Sequence, residues 1–328
     1  MALITFTDRG MYCPKADVYI DPWKPVPRAL ITHGHSDHAR WGHKKYLATF
    51  SSIPIIKYRL GDIHISGIHY GDEIDINGVK ISFHPAGHII GSAQIRLEHK
   101  GEVWVISGDY KIEDDGISEP YENIKCTHFV SECTFGLPIF NWEKQDIVID
   151  QINRWWNQNI DEGKTSVISA YSLGKAQRIL QNLDHSLGKI FTHGAVENSN
   201  EVLRDQGVKL KETVLVTDDF KYQDFIGNMV IAPPGALGSQ WMKRFKNVST
   251  ASASGWMAMR GTRRRRATDR GFVLSDHADW RGLNDAISSS TAEKVYVTHG
   301  YVDIFSKWLI SQGFDAQIVT TEYEGEET

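Results

Sequence analysis

The chain has 328 residues, 41% of them hydrophobic and 23% charged, with no low-complexity tract, which predicts one large folded domain or two modest ones. No stretch approaches the eighteen or more consecutive apolar residues of a membrane span, and the opening MALITFTDRG lacks a basic region followed by a long apolar run, so neither a spanning helix nor a secretory signal is read. Cys13, Cys126 and Cys133 show no CxxC pairing and read as reduced thiols of a cytoplasmic protein.

Net charge is −5, but it is unevenly spread. From Trp241 to Arg270 nine Lys or Arg stand against Asp269 alone, giving a window of +8 on a remainder of −13. A concentrated basic segment on an acidic body suits a phosphate backbone as partner.

In chain order, short apolar or β-branched runs read as strands, and each is followed by polar residues. ALIT (29–32) precedes His33, VWVIS (103–107) precedes Gly108 and Asp109, and HFVS (128–131) precedes Glu132. GFVLS (271–275) precedes Asp276 and His277, and KVYVT (294–298) precedes His299. Strand ends on a rigid sheet aim several loops at one place, so these residues predict a shared site. The middle of the chain is different. TSVISA (165–170) reads as a strand, Ser172 as a helix cap, GKAQRILQNL (174–183) as a helix, and GNMVIAPPG (227–235) as a strand stopped by its prolines. The alternation predicts an inserted α/β unit over 142–270, with a first part of the metal-bearing domain over 1–141 and its return over 271–328.

His33, His35, Asp37 and His38 form an HxHxDH loop. Neutral imidazoles suit zinc and a carboxylate adds a hard, charged oxygen. Four such ligands exceed what one catalytic zinc takes from one loop while keeping an open position, so two metal ions with further shared ligands are expected. His88 in PAGHIIGSAQ, Asp109 in SGDY and His299 in VTHG supply candidates; His84 competes with His88.

HxHxDH, a glycine-flanked histidine and a strand-end GD together resemble the metallo-β-lactamase fold, an α/β architecture with an αβ/βα sandwich. Glu132 in SECTFG, His277 in LSDHADW and His299 in VTHG resemble the three later motifs of its nucleic-acid-processing β-CASP branch, and the gap between Glu132 and His277 is where that branch carries an inserted α/β domain. ASGW (253–256), TFGLP and SLGKAQR further resemble Artemis-type nucleases, and in particular the bacterial exonucleases associated with ATP-dependent DNA ligases. His299 is the residue found in RNA-acting members, where DNA-acting relatives usually carry valine.

The resemblance implies two divalent ions, zinc or manganese, with His33, His35 and His88 on one, Asp37, His38 and His299 on the other, and Asp109 bridging. It implies that the ions activate a water for in-line attack on phosphorus, with Asp37, Glu132 and His277 in the catalytic set. His277 would protonate the leaving oxygen, and Glu132 would orient a metal-holding histidine. Ser172, Ser254 and Gly255 are candidates for a 5′-phosphate pocket, Trp256 for stacking a base, and Arg263, Arg264, Arg265 and Arg266 for tracking the strand by charge. The implied activity is a 5′-to-3′ exonuclease on single-stranded DNA in repair, with a ligase and a helicase as partners. The alternatives are an RNA-processing nuclease of the RNase J kind, a small-molecule hydrolase of the same fold, and a scaffold without activity.

Overall fold

The computed structural model describes residues 2–261 and 268–322. The chain divides into two units, one built from 1–141 together with the segment from Asp276 onward, the other from Trp142–Ser275. Among the described residues no helix is long and apolar enough to cross a membrane.

The first unit holds two sheets. One has six strands in sequence order: β1 (Thr5–Thr7), β2 (Gly10–Cys13), β3 (Val18–Ile20), β4 (Ala29–Leu30), β5 (Tyr46–Thr49) and β6 (Ile65–Ile68). Helix α1 (Ile53–Leu60) lies between its last two strands in the chain. The other sheet runs through seven strands, with β7 (Glu73–Ile76), β8 (Val79–Pro85), β9 (Ala93–His99) and β10 (Glu102–Ile106) pairing antiparallel. From β10 it continues in parallel through β11 (His128–Cys133), β18 (Lys294–Gly300) and β19 (Asp315–Ile318).

Alternation sets the faces of these strands. On β8, Val79, Ile81 and Phe83 join Ile95 and Leu97 of β9 and Trp104 and Ile106 of β10 in a core. Met11, Ile20 and Leu30 of the six-stranded sheet are part of that same core. The opposite side of β10, β11 and β18 contributes Val105, Phe129, Val295 and Val297 to a second core. Leu283 and Ile287 of α5 (Trp280–Ser290) and Phe305 and Leu309 of α6 (Val302–Ser311) complete it.

The second unit is a fully parallel six-stranded sheet in the order β14 (Val214–Leu215), β13 (Ile190–Thr192), β15 (Met229–Ala232), β12 (Thr165–Ser169), β16 (Val248–Ala253), β17 (Arg270–Phe272). Central β12 is buried at every residue, as a parallel strand covered on both faces must be. Helix α2 (Gln145–Asp161) buries Val148, Ile149, Ile152, Trp155, Trp156 and Asn159, a helical stripe. Ile179 and Leu180 of α3 (Lys175–Asn182) and Val196 of α4 (Gly194–Asp205) pack into the same core.

Two local readings are corrected. GFVLS does not return to the metal-bearing unit at residue 271: Arg270–Phe272 pairs with Ala251–Ala253 in the parallel sheet, and the first unit resumes at Asp276. Ser172 does not cap α3. Gly174 does, with φ of +93°, and its N–H donates to Gln177 Oε1 at 2.7 Å. Cys13, Cys126 and Cys133 are buried free thiols.

Candidate metal centre

β4 ends at Leu30, and the chain turns at once into His33, His35, Asp37 and His38. The β8–β9 connection brings His88, the end of β10 brings Asp109, and the end of β18 brings His299. The ligand atoms of His33, His35, His88 and Asp109 lie within 4.8 Å of one another, as do those of Asp37, His38 and His299. Asp109 links the two groups: its Oδ2 is 3.4 Å from His33 Nε2, 3.7 Å from His88 Nε2 and 3.5 Å from His38 Nε2.

His299 owes its direction to a bulge. Glu132 pairs with Thr298 and Cys133 with Gly300, which leaves His299 as the extra residue of β18. Its φ is +56° and that of Gly300 is +99°. A Cβ at Gly300 would lie 2.2 Å from the Cys133 carbonyl oxygen, so glycine is required where the two strands close up.

The outer nitrogen of each buried imidazole is already engaged. His38 Nδ1 lies 2.8 Å from Asp21 Oδ2, His33 Nδ1 3.0 Å from Thr32 Oγ1, and His88 Nδ1 2.9 Å from the Asp276 carbonyl. Asp21 also accepts from the Thr32 amide (2.8 Å) and hydroxyl. A nitrogen that donates outward leaves its ring partner as a lone-pair donor inward. Those inner nitrogens converge: His35 Nδ1 is 3.2 Å from His33 Nε2 and 3.1 Å from His88 Nε2. Donors about 2.0–2.1 Å from a tetrahedral zinc stand about 3.3–3.4 Å apart, so these spacings fit an ion of that kind. Asp109 Oδ1 is buried without a hydrogen-bond partner among the described residues, which also fits a position that expects a cation.

The electrostatics agree for His33 and His88, whereas His38 without an ion keeps its proton. Burial, with the neighbouring His38 charge, holds His33 well below its ordinary value. Burial and the His277 charge push His88 down to about 4, so both rings stay neutral near pH 7. Burial opposes a charge on His38, but Asp109, Asp37 and Asp21 overcome it and hold His38 well above the usual value. Burial likewise works against Asp109, and the His38 and His277 charges hold it well below the carboxylate range.

Beside the cluster, His277 Nδ1 is 2.9 Å and 3.0 Å from the two Glu132 oxygens. Glu132 also accepts from the Tyr110 amide at 3.0 Å and from the Thr134 hydroxyl. The residue expected to orient a metal-holding histidine therefore orients His277 instead. Asp21, which does orient a ring of the candidate donor groups, is missed by sequence reasoning: a lone aspartate after VYI has no spacing pattern. His84 lies apart from the cluster, between Ser82 Oγ (2.9 Å) and Glu122 (3.1 Å).

In the second unit, Ser172 is half-buried, and its carbonyl accepts from Gln177 Nε2 at 2.9 Å. Ser254 and Gly255 are buried, and the Ser254 hydroxyl accepts from the Trp256 amide at 3.3 Å, capping a short 3-10 turn. Trp256 is 8% exposed, and a buried ring offers no face to a base. Arg263, Arg264, Arg265 and Arg266 lie outside the described residues.

No family model matches the chain. It is 28% identical over 311 residues to a probable DNA ligase of Opitutus terrae, a match covering 94% of this chain and 30% of that protein. It is 24% identical over 213 residues to an RNase J-like protein of Methanocaldococcus jannaschii, covering 55% of this chain and 50% of that one. It is 26% identical over 168 residues to cleavage and polyadenylation specificity factor 73 of Drosophila melanogaster, covering 48% of this chain and 24% of that one. The chain thus spans half or less of the length of each of these relatives. A solved structure from Enterococcus faecalis, of a protein of unknown function, shares the fold with a TM-score of 0.62 at 10% identity, over 90% of this chain and 80% of that one. Its curated homologues make the chain a relative of the metallo-β-lactamase-type β-CASP nucleases and of a probable DNA ligase.

Proposed function

We propose that the chain is a metal-dependent phosphodiesterase that degrades single-stranded DNA from the 5′ end, acting in repair beside a DNA ligase. The observation that carries this reading is the pair of donor groups sharing Asp109. His33, His35 and His88 would hold one divalent ion and Asp37, His38 and His299 the other. The core common to the two sheets of the first unit supports an αβ/βα sandwich, with the donors at its strand ends.

Bound ions would supply an activated water and neutralise charge on the phosphoryl oxygens. The protein's own residues do the rest. Glu132 fixes His277 with Nδ1 outward, leaving Nε2 to carry the proton that the leaving oxygen needs. A water gives one proton to solvent as its oxygen bonds to phosphorus, the P–O3′ bond breaks, and the His277 proton goes to O3′, to be replaced from solvent. The products are a 5′-phosphate and a 3′-hydroxyl. Zinc suits the imidazole-rich group, and manganese suits the carboxylates. The match to a probable DNA ligase along 94% of the chain supports the link to ligation, with a helicase as a further partner by resemblance.

A second reading is RNA processing, favoured by His299 and by the RNase J-like relative. The test offers single-stranded DNA and RNA of one sequence, each with 5′-phosphate or 5′-hydroxyl, in the presence of zinc or manganese. Nucleotide release from 5′-phosphorylated DNA supports the first reading. Preference for RNA replaces it with the second, and cleavage of neither overturns both.

A further inference from the structure

Three residues after His38, Trp41 is 74% exposed, the most exposed of the large hydrophobic side chains described. Among the described residues its ring makes no aromatic contact. An indole left in water beside a catalytic loop is costly, since burying an aromatic is normally strongly favourable. The turn that carries it is nonetheless fixed. The buried Tyr46 hydroxyl donates to the Arg40 carbonyl at 2.9 Å and accepts from the His43 amide at 3.0 Å, clamping the backbone on both sides of Trp41. Arg40 Nε donates to the Asp37 carbonyl at 3.2 Å, and the Ala39 amide donates to the His35 carbonyl at 2.9 Å, which ties the same turn to the donor loop. Gly42, with φ of +104°, packs where a Cβ would meet Pro25 Cγ at 3.2 Å.

The chain on either side of Trp41 is basic, and the Arg40 guanidinium donates to the Glu322 carbonyl. Arg28, Lys44 and Lys45 are exposed, and the Ala29 amide donates to the Lys45 carbonyl at 2.9 Å, which sets Arg28 beside Lys45. From Pro22 to Tyr46 there are five Lys or Arg, and the one carboxylate, Asp37, belongs to the donor loop. Three residues of chain span at most about 11 Å, so the ring stays near the donor cluster.

We propose that Trp41 is a stacking platform for an unpaired nucleobase next to the scissile position, with Lys44, Lys45 and Arg28 contacting the phosphates on either side. A flat exposed aromatic among cations is how single strands are gripped without regard to sequence, because every base has a π-face. This rests on the nuclease reading and takes over the role expected of Trp256.

The test measures binding of labelled single-stranded oligonucleotides, DNA and RNA, to the full chain with EDTA present, by fluorescence anisotropy. It uses wild type, Trp41→Ala, Trp41→Phe and Lys44→Ala/Lys45→Ala, each checked for unchanged melting temperature and metal content. A second strand of the same length carries abasic sites. Trp41→Ala should weaken binding of the base-bearing strand about tenfold, Trp41→Phe should restore most of it, and neither should affect the abasic strand. The double lysine variant should weaken both strands and flatten the salt dependence. With metal restored, Trp41→Ala should raise KM and leave kcat within about twofold. If wild type cleaves the strands and Trp41→Ala matches it on both, the platform is wrong and the nuclease reading stands. If wild type neither binds nor cleaves, both fall.

Discussion

Asp21 Oδ2 lies 2.8 Å from Nδ1 of His38, and the same carboxylate takes the amide and hydroxyl of Thr32, whose oxygen faces His33 Nδ1. One buried carboxylate therefore orients a ring in each of the two donor groups. Partners of this kind typically cost about 10–100-fold in metal affinity when lost. Asp21→Ala should weaken metal binding by that factor and lower stability by about 1–3 kcal/mol, because the Thr32 amide is left buried and unpaired. Asp21→Asn, which can still accept from Thr32, should recover most of the stability and less of the affinity. Chelator competition and urea unfolding separate the two, and unchanged metal affinity in Asp21→Ala would refute the role.

The donor loop was legible in the sequence because metal chemistry concentrates particular residues at short spacings, and HxHxDH is dense enough to read alone. Asp109, Glu132, His277 and His299 were legible because each stands at or just past an apolar run, and His88 because glycines flank it. Asp21 and Trp41 were not. The first acts through a partner seventeen residues away in sequence, and the second is set apart by its exposure. Trp256 is the reverse case, since its burial leaves little of the ring open to a base. The place where the first unit resumes was misjudged because GFVLS is apolar enough for either sheet. Pairing of Arg270–Phe272 with β16 assigns its first part to the second unit.

Glu132 and His277 act as a pair, and they also lie within 4.8 Å of Asp109, close enough to be read as metal ligands. Metal content distinguishes these roles. His277→Ala should lower kcat by about 10²–10⁴-fold with both ions retained. Glu132→Gln should give a smaller loss and shift the pH profile of kcat, since the amide no longer favours an Nδ1–H imidazole. Loss of an ion in His277→Ala would make it a ligand and discard the proton-donor role.

Gly300 lets the bulge at Glu132 and Cys133 close. Alanine there must take a φ near +99° and meet the Cys133 carbonyl. Gly300→Ala should destabilise the fold by about 1–3 kcal/mol and displace His299, so that the group with Asp37 and His38 loses its ion first. Stoichiometric metal titration should then show one tight site where wild type shows two. Two equal sites in a destabilised protein would mean that the bulge serves packing alone.

His43 sets a pH dependence that is independent of metal. Burial, opposed weakly by Asp21, lowers it to about 4, and its Nδ1 accepts from the Val26 amide at 3.3 Å, a bond that the protonated ring cannot accept. In the unfolded chain the ring titrates near 6.5. Between these values the unfolded state binds the extra proton, so the His43 contribution makes stability fall as pH drops from about 6.5 towards 4. The expected loss is about 1–3 kcal/mol across that window. His43→Gln keeps an acceptor for Val26 and has no proton to gain. Urea unfolding of the metal-free protein at pH 7.5 and 4.5 should show a smaller acid penalty in the variant than in wild type. His33 and His88 add the same sign in both proteins and cancel in the difference. Equal penalties in the two proteins would mean that protonating His43 in the folded state costs nothing, and its role as the Val26 acceptor would be wrong.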